Sequence, residues 1–161
     1  MNQIQKWLFL AVFSALTLGC QKDDICPEGT ETTPLLVIEF YDAEDPSRLK
    51  AVQNLVVKAA GKEVFLGPVT TNSISIPLKT DEGVTEYSFT ANNNSPLENE
   101  DLISFSYDPQ SEYLNRACGF KVNFTNIDVN TQQDEDNWIL SEIVLQENVE
   151  NETEAHISII H

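Results

Sequence analysis

The chain has 161 residues with 9 Lys+Arg against 26 Asp+Glu, a formal net charge of −17 and a pI near 4.2. It carries no basic stripe, which excludes nucleic acid as a partner, because phosphate backbones are bound by clustered lysine and arginine. The acids are spread among apolar runs that bring the hydrophobic share to 41%, and this describes a globular domain with a charged surface, not an acidic disordered tail.

The first element in chain order is not part of a fold. Lys6 is the only charged side chain before residue 20, and Trp7 to Leu18 then runs without a charge. A positive start followed by an apolar run of this length reads as a signal peptide. The run is too short for a membrane span, which needs roughly 20 apolar residues. The alternative is a buried helix of a globular domain. The run ends in Leu16-Thr17-Leu18-Gly19-Cys20, which resembles the lipobox of bacterial lipoprotein precursors, with Thr17 where leucine is usual. The resemblance implies cleavage before Cys20, a diacylglyceryl group on its thiol and acylation of the new amine. Several acyl chains give stable anchoring where one is marginal. The alternative is ordinary cleavage after Gly19 and release of a soluble protein.

The chain has three cysteines, Cys20, Cys26 and Cys118. Lipidation of Cys20 resolves the odd count and leaves Cys26 and Cys118 free to pair in an oxidising compartment. Such a crosslink closes a long loop, worth about 4–5 kcal/mol by the chain-entropy argument. It would fix how the domain sits relative to its anchor. Two buried reduced thiols are the alternative. Gln21-Lys22-Asp23-Asp24, directly after the anchor, resembles the short signal that sends Bacteroidota lipoproteins to the outer face of the outer membrane. The other reading of these residues is a solvated tether on a periplasm-facing anchor.

Beyond a tether over residues 20–34 the dominant period is two. Leu36, Ile38 and Phe40 share a face of the first strand. Leu55-Val56-Val57-Lys58 and Val64-Phe65-Leu66 flank a hairpin turn at Gly61-Lys62. A helical reading of 47–60 competes through Leu49, Val52 and Val56, but Val56-Val57 is β-branched and favours a strand. Ile74, Ile76 and Leu78 alternate around Pro77, which cannot donate to a ladder and predicts an edge strand. Tyr87, Phe89 and Ala91 form the next strand, residues 92–96 a loop, and Ile103, Phe105 and Tyr107 a strand closed by Asp108-Pro109. Cys118, Phe120, Val122 and Phe124 share an inward parity, opposite Gly119, Lys121 and Asn123. Residues 128–137 are polar. Trp138 to Leu145 and Ala155 to Ile160 complete the pattern. About eight short strands with turn signals between them predict an all-β protein, an antiparallel β-sandwich, immunoglobulin-like or similar, over residues 35–161.

The residues Cys20, Asp24-Ile25-Cys26, Thr33-Pro34 through Asp42, Ala117-Cys118-Gly119-Phe120 and His156-Ile-Ser-Ile together resemble a family of small outer-membrane lipoproteins of the Bacteroidota. That resemblance implies a lipid-anchored β domain and brings no activity with it.

Candidate chemistry is sparse. The only histidines, His156 and His161, would have to serve any nucleophile–base pair, and with two cysteines expected in a disulfide no zinc spacing remains. Among 26 acids some carboxylate pair suited to glycoside hydrolysis arises by chance, but none stands in an aromatic, cleft-like context. Asp128, Asn130, Asp134 and Asp136 offer the hard oxygens calcium takes, without the glycine and bidentate glutamate of an EF-hand; a solvated acidic loop is the plainer reading. Tyr41, Tyr113 and Trp138 could form a glycan platform if they face outward. The sequence therefore predicts a non-catalytic envelope lipoprotein without cofactor. Its partners would be the bilayer, through Cys20, and another outer-membrane protein. A surface glycan- or ligand-binding module is the alternative, and a hydrolase a more distant one.

Overall fold

The computed structural model describes residues 3, 25–59 and 64–161. The expected signal peptide at 1–19, the lipidated Cys20, the Gln21–Asp24 signal and the Gly61 turn lie outside the described residues. Contacts group the rest into two compact units. The smaller takes in residues 25–30 and Leu114–Phe120; the larger takes in Glu31–Tyr113 and Lys121–His161.

Nine strands follow one another: β1 (Leu36–Tyr41), β2 (Val52–Ala59), β3 (Val64–Thr71), β4 (Ser73–Ile76), β5 (Val84–Ala91), β6 (Asn99–Asn115), β7 (Gly119–Thr131), β8 (Ser141–Val144) and β9 (Ile157–Ile160). They form a four-stranded sheet of order β4-β1-β9-β8 and a five-stranded sheet of order β3-β2-β5-β6-β7. This is the expected all-β sandwich of eight or nine short strands. One pairing departs from the antiparallel pattern: β1 and β9 run parallel, Ile38 opposite Ile157 and Phe40 opposite Ile159.

The period-two pattern builds the core directly. Leu36, Ile38 and Phe40 of β1 are fully buried and alternate with half-buried neighbours. Phe89 and Phe105 cover them from the five-stranded sheet, joined by Phe124. Truncating any of these phenyl rings to alanine costs about 3–5 kcal/mol in a packed core. β4 lies at a sheet edge, and Pro77 follows its last residue. β3 is an exposed edge of the five-stranded sheet. At Gly67 a Cβ would stand 2.2 Å from the Leu55 carbonyl oxygen, and φ is +113°, so only glycine fits where β3 crosses the irregular stretch of β2.

Three expectations about strands are corrected. β6 does not stop at Asp108-Pro109 but continues to Asn115. The β5 ladder ends at the Val84–Ser106 pair, with the Tyr107 amide still reaching the Gly83 carbonyl. Pro109 points its missing N–H to that vacated side, so it breaks no bond. In β7 the parity is not the expected one: Phe120 is 67% exposed and Lys121 only 6%. Lys121, Phe124 and Ile127 are buried at three-residue intervals, so β7 does not keep a strict alternation, and Asn126, just before Ile127, takes a left-handed φ of 55°. Finally, Trp138 and Ile139 precede β8 instead of opening it. They sit in a segment tied across the sheet: the Ile139 amide donates to Asp101 Oδ2 at 2.8 Å and the Trp138 indole donates to the Phe89 carbonyl at 3.0 Å.

Within the larger unit, the residues ahead of β1 are tied to β6 and β7. The Lys121 ammonium meets Glu31 at 2.5 Å and Glu112 at 3.4 Å, and the Val122 amide donates to the Thr33 hydroxyl. These pairings account for a buried lysine on β7, since buried charge requires a partner.

Candidate functional site

The strands of the five-stranded sheet turn their core parity toward the other sheet, so the alternate residues line its outer face. Register places these in rows. Lys58 of β2 lies opposite Ser88 of β5, which lies opposite Leu102 of β6. The Gln132 amide then donates to the Leu102 carbonyl at 2.8 Å, bringing β7 alongside. In the neighbouring rows Glu86 faces Ser104 and Thr90 faces Glu100. The Ser104 hydroxyl donates to the Asn130 carbonyl at 3.2 Å. Together they form an open groove of about 800 Å³, within the range of roughly 300–1,000 Å³ typical of ligand sites.

The floor of the groove is polar and short of partners. Ser88 is 8% exposed, and among the described residues its hydroxyl takes no hydrogen bond. The Thr131 hydroxyl, buried in the same lining, also has none among the described residues. The wall is held from behind. Asp101, fully buried on β6, accepts the Ile139 amide, and the Asn99 side chain donates to the Asp136 carbonyl. Burial pushes the Asp101 carboxyl above its ordinary range against the amide that opposes the shift.

Within the groove Glu86 and Glu100 are its two carboxylates. Their rows differ by four residues along the strands, about 13 Å at strand rise. Glu100 is further engaged by the Thr90 hydroxyl at 3.1 Å. Retaining and inverting glycosidases place such carboxyl groups about 5–9.5 Å apart, closer than the backbone rows that carry this pair.

The residues singled out from sequence fall elsewhere. Cys26 and Cys118 are bonded to one another, with Cα atoms 4.8 Å apart. The Val37 amide donates to His156 Nδ1 at 3.0 Å while the His156 amide donates to the Val37 carbonyl at 2.9 Å. His161 packs edge-on against Phe40 and Trp138, its Nε2 at 3.1 Å from the Lys50 carbonyl. Burial holds both imidazoles below the usual histidine range, so both are structural groups in neutral form.

The calcium candidate is divided. Asp128 and Asn130 lie exposed on β7, whereas the Asp134–Asn137 loop closes on itself: the Asp136 amide donates to Asp134 Oδ1 at 3.0 Å and the Asp134 amide to Asn137 Oδ1 at 2.8 Å. Among the described residues no group of three or more His, Cys, Asp or Glu is placed to hold a metal ion.

The three aromatics form no common platform. Tyr41 is on the four-stranded sheet, its hydroxyl donating to Glu39, and Tyr113 is on the five-stranded one. Trp138 is partly buried against the core.

Sequence reasoning passed over the groove residues Lys58, Ser88, Leu102 and Gln132. One signal for them exists. Leu102 is an apolar residue on the polar parity of β6, out of phase with Ile103, Phe105 and Tyr107.

Residues 54–161 match the model of a family of unknown function, DUF6452. The chain belongs to that family. No curated protein and no solved structure matches it. The DUF6452 match begins inside β2 and takes in the whole groove, both histidines and Cys118, while β1 and Cys26 precede it.

Proposed function

We propose that this DUF6452 protein is a non-catalytic lipoprotein of the bacterial outer membrane, of the kind found in Bacteroidota. Acylated Cys20 anchors it, Gln21 to Asp24 direct it to the cell surface, and its sandwich acts as an interaction module beside another envelope component. The observation that carries this reading is the Cys26–Cys118 bond. It fits an oxidising compartment and leaves Cys20 as the one remaining thiol, at the end of an apolar run of export type. The absence of a catalytic role is supported by both histidines serving backbone hydrogen bonds and by the spacing of the groove carboxylates.

Mass spectrometry of the N-terminal peptide from a membrane preparation tests the proposal. It should begin at Cys20 and carry acyl chains. An unmodified peptide that retains residues before Cys20, or a protein with Cys20 in a disulfide, would contradict it.

A further inference from the structure

We infer that the outer-face groove of the five-stranded sheet binds a neutral glycan chain. The inference rests on the reading of the domain as a binding module and names the class of ligand it takes.

The lining sets the chemistry. Glu86 and Glu100 accept hydrogen bonds, Lys58 donates them, and the Asn130 and Gln132 amides do both. The Ser88 hydroxyl opens onto the floor and takes no hydrogen bond among the described residues, so it is free to donate to and accept from a ligand seated there. A ligand suited to this mixture offers many hydroxyl donors and acceptors and no net charge. Leu102, 48% exposed beside Ser88, supplies an apolar ridge for the C–H face of a sugar ring. From β2 to β7 the cleft crosses four strands, about 14 Å, enough for a short oligosaccharide.

The same features exclude competing ligands. An anionic polysaccharide meets two carboxylates and a chain of net charge −17. A metal ion would need several oxygens converging, whereas Glu86 and Glu100 stand in different rows. An extended peptide gains its affinity by adding to an open strand edge. Here β5 and β6 each have a neighbouring strand on both sides, so the face offers no such edge.

The test uses the full lipidated chain in detergent. Calorimetric titration would take neutral gluco-, manno-, xylo- and galacto-oligosaccharides, with polygalacturonate and a neutral unstructured peptide for comparison. At least one neutral series should bind. Gln132→Ala and Leu102→Ser, both at exposed positions, should each weaken it about tenfold, a change of about 1.4 kcal/mol, with the melting temperature kept. Asn130→Ala is the second probe if either variant unfolds. Silence of all neutral series, binding of only the anionic polymer or the peptide, or glycan affinity unchanged in every groove variant would overturn the inference. A Cys20→Ala chain, lost from membranes or not, should bind the same glycan. Failure of the anchor and failure of the groove are thus read separately.

Discussion

His156 shows most clearly how a single residue divides into sequence signal and structural role. From sequence it is one of two candidate general bases. In the fold its Nδ1 accepts the Val37 amide, which only an unprotonated nitrogen can do. Burial lowers its pKa, and that of His161, below the ordinary value of 6.5. The unfolded chain therefore takes up protons first as pH falls. The stabilising effect is complete above about pH 6.5 and declines as pH drops toward the lowered values. Urea unfolding should show stability decreasing from pH 7.5 to 5, with the decrease reduced in His156→Gln. A flat profile would contradict the neutral assignment. Lys121 was not legible in the same way. Its burial depends on Glu31, 90 positions earlier, and nothing in the local Gly119–Asn123 pattern points to that partner. Strict alternation back from Phe124 assigned it outward and Phe120 inward, but the phase changes between Lys121 and Phe124, both of them buried, and an apolar–polar pattern carries no mark of that change.

Elements with an unbroken alternation were readable. Leu36-Ile38-Phe40, Tyr87-Phe89-Ala91 and Ile103-Phe105-Tyr107 each point where period two sends them, all into the core. The segment ahead of β8 was not. Trp138 and Ile139 look like the opening of an apolar strand, yet they are anchored by Asp101 and by the Phe89 carbonyl of strands far earlier in the chain. Asp101 is the residue on which this segment depends, and two substitutions separate its charge from its hydrogen bond. Asp101→Asn keeps an acceptor for the Ile139 amide and removes a carboxylate whose ionised form burial disfavours. It should leave stability at pH 7 equal or higher. Asp101→Leu strands that amide and should cost about 1–3 kcal/mol. Equilibrium denaturation decides between them, and equal losses in both variants would show that the carboxylate charge itself holds the segment. The groove lay beyond a sequence reading for a related reason. Lys58, Ser88 and Leu102 come from three strands and Gln132 from just past the end of a fourth, and only the register sets them side by side.

At the scale of the whole molecule, three facts about the chain bear on one account. Cys26 and Cys118 are bonded across a sequence separation of 92. Residues 54–161 place the chain in DUF6452. The acidic composition, −17 overall, gives no electrostatic attraction to an anionic membrane surface, so the membrane attachment proposed above rests on the acyl chains. The most direct measurement is the partition of wild-type and Cys20→Ala chains between membrane and soluble fractions of the producing cell. The account predicts wild type in the outer membrane and Cys20→Ala released from it with the Cys26–Cys118 bond intact; retention of Cys20→Ala in the membrane would contradict it.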